Sequence, residues 1–63
     1  MKLLRIKEVA KRVGISGTQI RRLERGGHFP ARAEISARSY GYSEEEVETW
    51  IAERLAAREH QAA

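Results

Sequence analysis

Ile15-Ser16-Gly17-Thr18-Gln19-Ile20-Arg21-Arg22-Leu23-Glu24-Arg25-Gly26-Gly27 reads as one short helix with both ends marked. Ser16 is an N-cap, because its hydroxyl accepts from an orphan N–H of the first turn. Gln19, three residues on, reaches back to complete a capping box. Ile15 and Ile20 have the spacing of a hydrophobic staple. Gly26 and Gly27 supply the left-handed conformation that ends helices, and Pro30 cannot continue one. At 100° per residue, Ile20 and Leu23 point one way. Thr18, Arg21, Arg22 and Arg25 point the other way, with Gly17 at their edge. A stripe of three guanidinium groups on one exposed face requires a polyanionic partner or a neutralising one.

Upstream, Lys7-Glu8-Val9-Ala10-Lys11-Arg12-Val13 ends at Gly14. Ile6, Val9, Ala10 and Val13 recur at helical spacing, which makes one apolar face. Ala10 is small where the two helices must cross. Two short helices joined at Gly14-Ile15-Ser16, the second one basic, form the pattern of a helix-turn-helix. Leu3-Leu4-Arg5-Ile6 is short and apolar, and is expected to run extended with Leu4 and Ile6 tucked inward.

Downstream, Phe29 is expected to plug the core. Ala31 to Ser36 alternates, with Ala31, Ala33 and Ile35 on one face and Arg32, Glu34 and Ser36 on the other, as in a half-buried strand. Ala37-Arg38-Ser39 reads as a turn and Tyr40-Gly41-Tyr42 as a second strand. Gly41 omits a side chain where the strand passes close to another element. The hairpin is marginal alone and must lie against the helices. Ser43-Glu44-Glu45-Glu46 is a second capping box, with Tyr42 and Val47 at staple spacing. Val47, Trp50, Ile51 and Leu55 form an apolar face, and the acidic triplet suits the positive end of the helix dipole. Residues 1–58 are expected to form the domain and 59–63 a frayed tail.

The fold expected is α+β and mostly helical, a winged helix-turn-helix: helix, recognition helix, two-stranded hairpin wing, C-terminal helix. Sixty-three residues allow one small core. The absence of cysteine excludes disulfides and thiolate metal sites. No apolar run reaches membrane-spanning length, and the start lacks a signal-peptide core, so the default is cytoplasmic. No paired His/carboxylate arrangement and no Gly-rich phosphate loop occurs, which argues against an enzyme and against a cofactor. With two histidines at no helical pairing, no metal is expected. The net charge of +3 hides an asymmetry: residues 1–42 carry ten Lys/Arg and three Glu (+7), and residues 43–63 carry two Arg and six Glu (−4). One basic face for a polyanion and a separate acidic end follow from that division.

Leu3-Leu4-Arg5, Val9, Gly14-Ile15-Ser16, Ile20-Arg21, Gly27, Phe29-Pro30, Gly41-Tyr42, Glu46-Val47 and Trp50-Ile51 resemble the AlpA family of small phage-type regulators, kin to the excisionases. The resemblance runs from Leu3 to about Arg58. The segment Ile6 to Ser16 is equally similar to the DNA-binding domain of MerR-type regulators. Arg21 stands where AlpA-like proteins often carry Tyr, and Gly17 where they often carry a polar residue. The resemblance implies an architectural, sequence-specific binder of double-stranded DNA. Excisionase-like relatives bend DNA near a recombination end and help an integrase excise an element, whereas AlpA-like relatives activate transcription.

On this reading the helix after Ser16 enters the major groove. Arg21, Arg22 and Arg25 are candidates for guanine or phosphate, and Thr18 and Gln19 for base edges. Ser16 and the first-turn N–H groups are candidates for a phosphate. Arg32 and Arg38 on the wing suit the backbone or a narrow minor groove, and Lys7 and Lys11 suit the flanking strand. The acidic third helix and the tail remain for an integrase, RNA polymerase or a neighbouring copy. The competing expectation is a basic protein-interaction module that does not bind DNA.

Overall fold

The computed structural model describes residues 2–61, with side chains to Arg58. The order is β1 (Leu3–Leu4), α1 (Ile6–Val13), α2 (Gly17–Arg25), β2 (Ala33–Ser36), β3 (Ser39–Ser43) and α3 (Glu44–Gln61). The architecture is α+β, mostly helical, with the arrangement of a winged helix-turn-helix. Among the described residues no helix is long and apolar enough to cross a membrane.

Helix α1 starts after Arg5, which offers no side-chain cap, and stops at Gly14 in the left-handed region (φ 90°). Helix α2 begins with the full capping box: Gln19 N–H donates to Ser16 Oγ at 3.2 Å, and Ser16 N–H donates to Gln19 Oε1 at 3.2 Å. Its end is a Schellman closure, in which His28 N–H reaches Leu23 O at 2.8 Å and Gly27 N–H reaches Glu24 O at 3.1 Å. Only Gly27 takes the left-handed conformation (φ 80°). Gly26 does not, so the pair expected to share that task is one residue.

The core is Leu4, Val9, Ile20, Phe29, Tyr42 and Val47, with Ile6, Val13, Ile15, Leu23, Trp50 and Ile51 packed around it. Burying each large apolar side chain contributes ~1.5–3 kcal/mol. Phe29 is the plug, edge-on to Tyr42 at 5.8 Å and to Trp50 at 4.9 Å. Trp50 is anchored from its other side, where Nε1 donates to His28 O at 2.7 Å. Arg12 joins α1 to α3, with Glu44 at 3.0 Å and Glu48 at 2.9 Å. Part of the acidic end is therefore spent inside the fold.

The sheet differs from the expected two-stranded hairpin. It has three antiparallel strands in the order β1-β3-β2, because Leu3 pairs with Ser43 and Leu4 with Tyr42. Ile6 opens α1 instead of extending β1. Strand β2 starts at Ala33 rather than Ala31, and Ser39 belongs to β3, so the turn is Ala37-Arg38. The half-buried alternation expected of β2 does not appear: all four of its residues are exposed. Ala33 pairs with Gly41 and Leu3 with Ser43, which puts these four on one face, and Leu3, Ala31 and Ala33 line a groove with Trp50 and Glu53 of α3. Ile35 is 46% exposed and lies close to Gly41. Leu4 and Tyr42, on the opposite face, are buried, and the register is irregular between Glu34 and Ser36. Gly41 is required where it stands: a Cβ there would lie 2.9 Å from Ile35 Cδ1 and 3.1 Å from Leu3 Cβ.

Ser43 Oγ accepts from Glu46 N–H at 3.3 Å, one half of the expected second capping box. Leu55, expected in the core, is 50% exposed, and so are its neighbours: every residue from Ala52 to Arg58 is exposed. The backbone stays helical to Gln61, past the expected boundary at Arg58. The rest of the expected tail, Ala62 and Ala63, lies outside the described residues.

Candidate nucleic-acid interface

Helix α2 and the wing are tied together by Glu24. On the helical wheel Glu24 lies only 40° from Ile20, so the fold turns it inward. Its carboxylate accepts from Tyr42 Oη at 2.6 Å and from the Arg32 backbone N–H at 3.0 Å. Arg32 and Arg21 stand at 3.8 and 3.9 Å from the same oxygen. Burial raises the affinity of this carboxyl for a proton, but the Tyr42 hydroxyl, the Arg32 N–H and the two guanidinium charges outweigh it, and its pKa falls below the ordinary 4.5. Tyr42 moves the other way, to about 12, through burial and through its bond to Glu24.

Around this tie the side chains sort into two flanks of α2. Arg21 and Arg25 share a groove of about 380 Å³ with Arg32 and Tyr40 of the wing. Arg32 lies over the Tyr40 ring at 4.5 Å. Gln19 and Arg22 share a second groove, of about 460 Å³, with Val13, Ile15, Leu23, Trp50 and Arg54. The expected uniform stripe of three arginines is therefore divided. Arg21 is partly neutralised by Glu24, while Arg22 and Arg25 are exposed and have no ion pair among the described residues. Thr18 is exposed beside them.

Ser16 and Gln19 are committed to each other through the capping box. The Gln19 carbonyl oxygen is occupied, and its NH₂ group keeps its donors free for a base edge. Arg38 sits at the wing tip with φ 64°, a conformation uncommon for a side-chain-bearing residue. Arg5 braces the same turn from the far side, donating to Ser39 Oγ at 2.6 Å. Lys7 and Lys11 lie one turn apart on α1, exposed, on a different side from Arg12.

Sequence reasoning missed two residues here. One is Glu24, and a signal was present, since a carboxylate between Ile20 and Leu23 on the inward stripe needs partners. The other is Arg54, which lies seven residues after Val47 and therefore on the inward stripe of α3, stacked on Trp50 at 4.7 Å.

No curated protein and no solved structure matches the chain significantly. Residues 2–55 match the family described as Prophage CP4-57 regulatory protein (AlpA). That match spans both helices of the helix-turn-helix, the wing and most of α3, so the chain belongs to the AlpA family of small DNA-binding regulatory proteins.

Proposed function

We propose that this protein binds double-stranded DNA sequence-specifically, with α2 in the major groove and the hairpin wing along the adjacent backbone or minor groove, and that it serves as an excisionase for a phage-type integrase. The observation that carries the DNA-binding reading is the shared groove between α2 and the wing, lined by Arg21, Arg25, Arg32 and Tyr40 and held in register by Glu24. Two cationic elements fixed relative to each other suit a duplex, whose groove and backbone keep a constant separation.

Within that reading, Arg22, Arg25 and Thr18 meet base edges, with the free amide donors of Gln19 beside them. Arg21 and Arg32 lie closer to the backbone. The first-turn N–H groups of α2 after Ser16 receive a phosphate. Arg38 reaches the backbone from the wing tip, and Lys7 and Lys11 hold the flanking strand. A single module of this size buries roughly 600–1,000 Å² on DNA, so adjacent copies or a partner complete the assembly. The exposed half of α3 from Ala52 to Arg58, on the side away from Arg54, is the surface offered to an integrase, to RNA polymerase or to a neighbouring copy.

The second reading is transcriptional regulation, which the family's description as a prophage regulatory protein favours. Recovery of bound duplexes from a randomised pool tests DNA binding. Reconstituted excision with a phage-type integrase then separates the two roles. Stimulated excision supports the first, and promoter activation without excision supports the second. Failure to retain any duplex at moderate salt overturns both and leaves a protein-interaction module.

A further inference from the structure

An α-helix is about 10–12 Å across with its side chains, and the major groove of B-DNA is about 12 Å wide. A helix lying in that groove therefore turns one flank to each phosphodiester strand. On one flank of α2 stands the wing. On the other stands α3, whose Trp50 and Arg54 line the groove there.

Arg54 is unusual for its place. Val47, Trp50 and Ile51 set the inward stripe of α3, and Arg54 continues it where an aliphatic residue is the ordinary choice. Its guanidinium rests on the Trp50 ring at 4.7 Å. That ring is fixed by its bond to His28 O and by Phe29, so the cation is held at a set position instead of sweeping through solvent. Arg22 of α2 lines the same groove, and among the described residues no carboxylate does, although Glu53 stands with Arg54 along a neighbouring groove. The wing-side groove differs, because Glu24 pairs with its Arg21 and Arg32. Two guanidinium groups bordering one groove raise its positive potential, which favours the entry of an anion.

We infer that Arg54 binds a backbone phosphate of the DNA strand on the side of α2 opposite the wing, next to the base-reading Arg22. The inference rests on the DNA-binding reading above. It makes the interface two-sided: the wing holds one strand, the Trp50-Arg54 stack holds the other, and the bases lie between.

The test is the salt dependence of binding to a duplex recovered from a randomised pool, for wild type, Arg54→Met, Arg54→Lys and Lys2→Ala. Methionine keeps a flexible stem over Trp50 and removes the charge. Lys2 lines a groove with Glu44, Glu45 and Glu48 away from both flanks of α2 and controls for net charge. Arg54→Met is expected to flatten the slope of log K against log salt by ~1, and to weaken binding roughly eight-fold at 0.1 M salt, with the loss fading toward 1 M. Arg54→Lys restores most of the slope, and Lys2→Ala leaves it near wild type. Matched thermal melts separate this from misfolding. A wild-type slope in Arg54→Met, or an equal change in Lys2→Ala, overturns the inference while Arg22→Ala and Arg38→Ala still report on the DNA-binding reading. A wild type that binds no duplex overturns that reading, and this one with it.

Discussion

The hydroxyl of Tyr42 donates to the carboxylate of Glu24 at 2.6 Å, so the recognition helix and the sheet that carries the wing are joined by one short, charge-assisted bond. Tyr42→Phe keeps the buried ring and deletes that bond. Hydrogen bonds to charged groups contribute ~1.5–3 kcal/mol, and urea denaturation should show a loss in that range. The variant should also discriminate less between selected and mixed-sequence DNA, because the wing is no longer fixed against α2. Wild-type stability in Tyr42→Phe would show that the bond contributes nothing net.

The same pair sets both pH limits. Glu24 has a folded pKa below its ordinary 4.5, so its stabilisation is present above that value and is lost as pH falls below it toward the folded pKa. Tyr42 has a folded pKa raised from 10 to about 12, so its contribution is complete below pH 10 and is lost as pH rises from 10 to about 12. Melting temperatures across pH should form a plateau between these limits. Tyr42→Phe should abolish the part of the alkaline decline that Tyr42 ionisation causes, and an unchanged decline would assign it to other groups.

Arg38 holds a left-handed conformation that costs a side-chain-bearing residue ~1–2 kcal/mol. Arg38→Gly should therefore stabilise the wing by up to about that amount in a thermal melt. It should at the same time weaken binding to all duplexes alike and flatten the salt slope by ~1. A gain in stability coupled to a loss of DNA affinity marks a residue retained for contact. Unchanged affinity removes Arg38 from the interface.

Arg22→Ala should behave differently from any backbone contact. If Arg22 reads a base, its loss costs ~1–3 kcal/mol on the selected site and relaxes preference at one position. Binding titrations on the selected site and on single-base variants distinguish this from a uniform loss.

Gly41→Val places a branched side chain against Ile35 Cδ1 and Leu3 Cβ. Ile35 is exposed and can swing away, but Leu3 Cβ is fixed by the pairing of β1 with β3. Overpacking of this kind costs ~1–3 kcal/mol. Denaturant titration should show it, with Gly41→Ala less affected.

The helices were legible because their signals are local. Ser16 and Gln19 announce a start, Gly27 a stop, and Ile20 with Leu23 an inward face. The sheet was only half legible. A period of two suggested a half-buried β2, but the whole strand is exposed. The buried hydrophobic residues of the sheet are Leu4 and Tyr42 on the neighbouring strands, brought together by a pairing far apart in sequence. Strand β1 is two residues long and gives no periodic signal. Leu55 matched its helical spacing but not the length of the body beneath it. In the candidate site the cationic residues were visible individually. Their division into two flanks depends on Glu24 and Arg54, whose helical spacing is legible but whose partners, Tyr42 with Arg32 and Trp50 with its groove, show only when each helix is set against its neighbours.

The position of Glu24 within α2 also governs how such a protein can be retargeted. On the proposed reading, the helix interleaves letters that address DNA with one that holds the machine together. Libraries that vary Thr18, Arg22 and Arg25 sample new addresses on an intact frame, whereas a wholesale exchange of residues 17–25 deletes the frame along with the address. Lineages that change their target site by altering this helix are thus channelled toward a few positions, and Glu24 is the one whose replacement must be answered by a second change in the sheet.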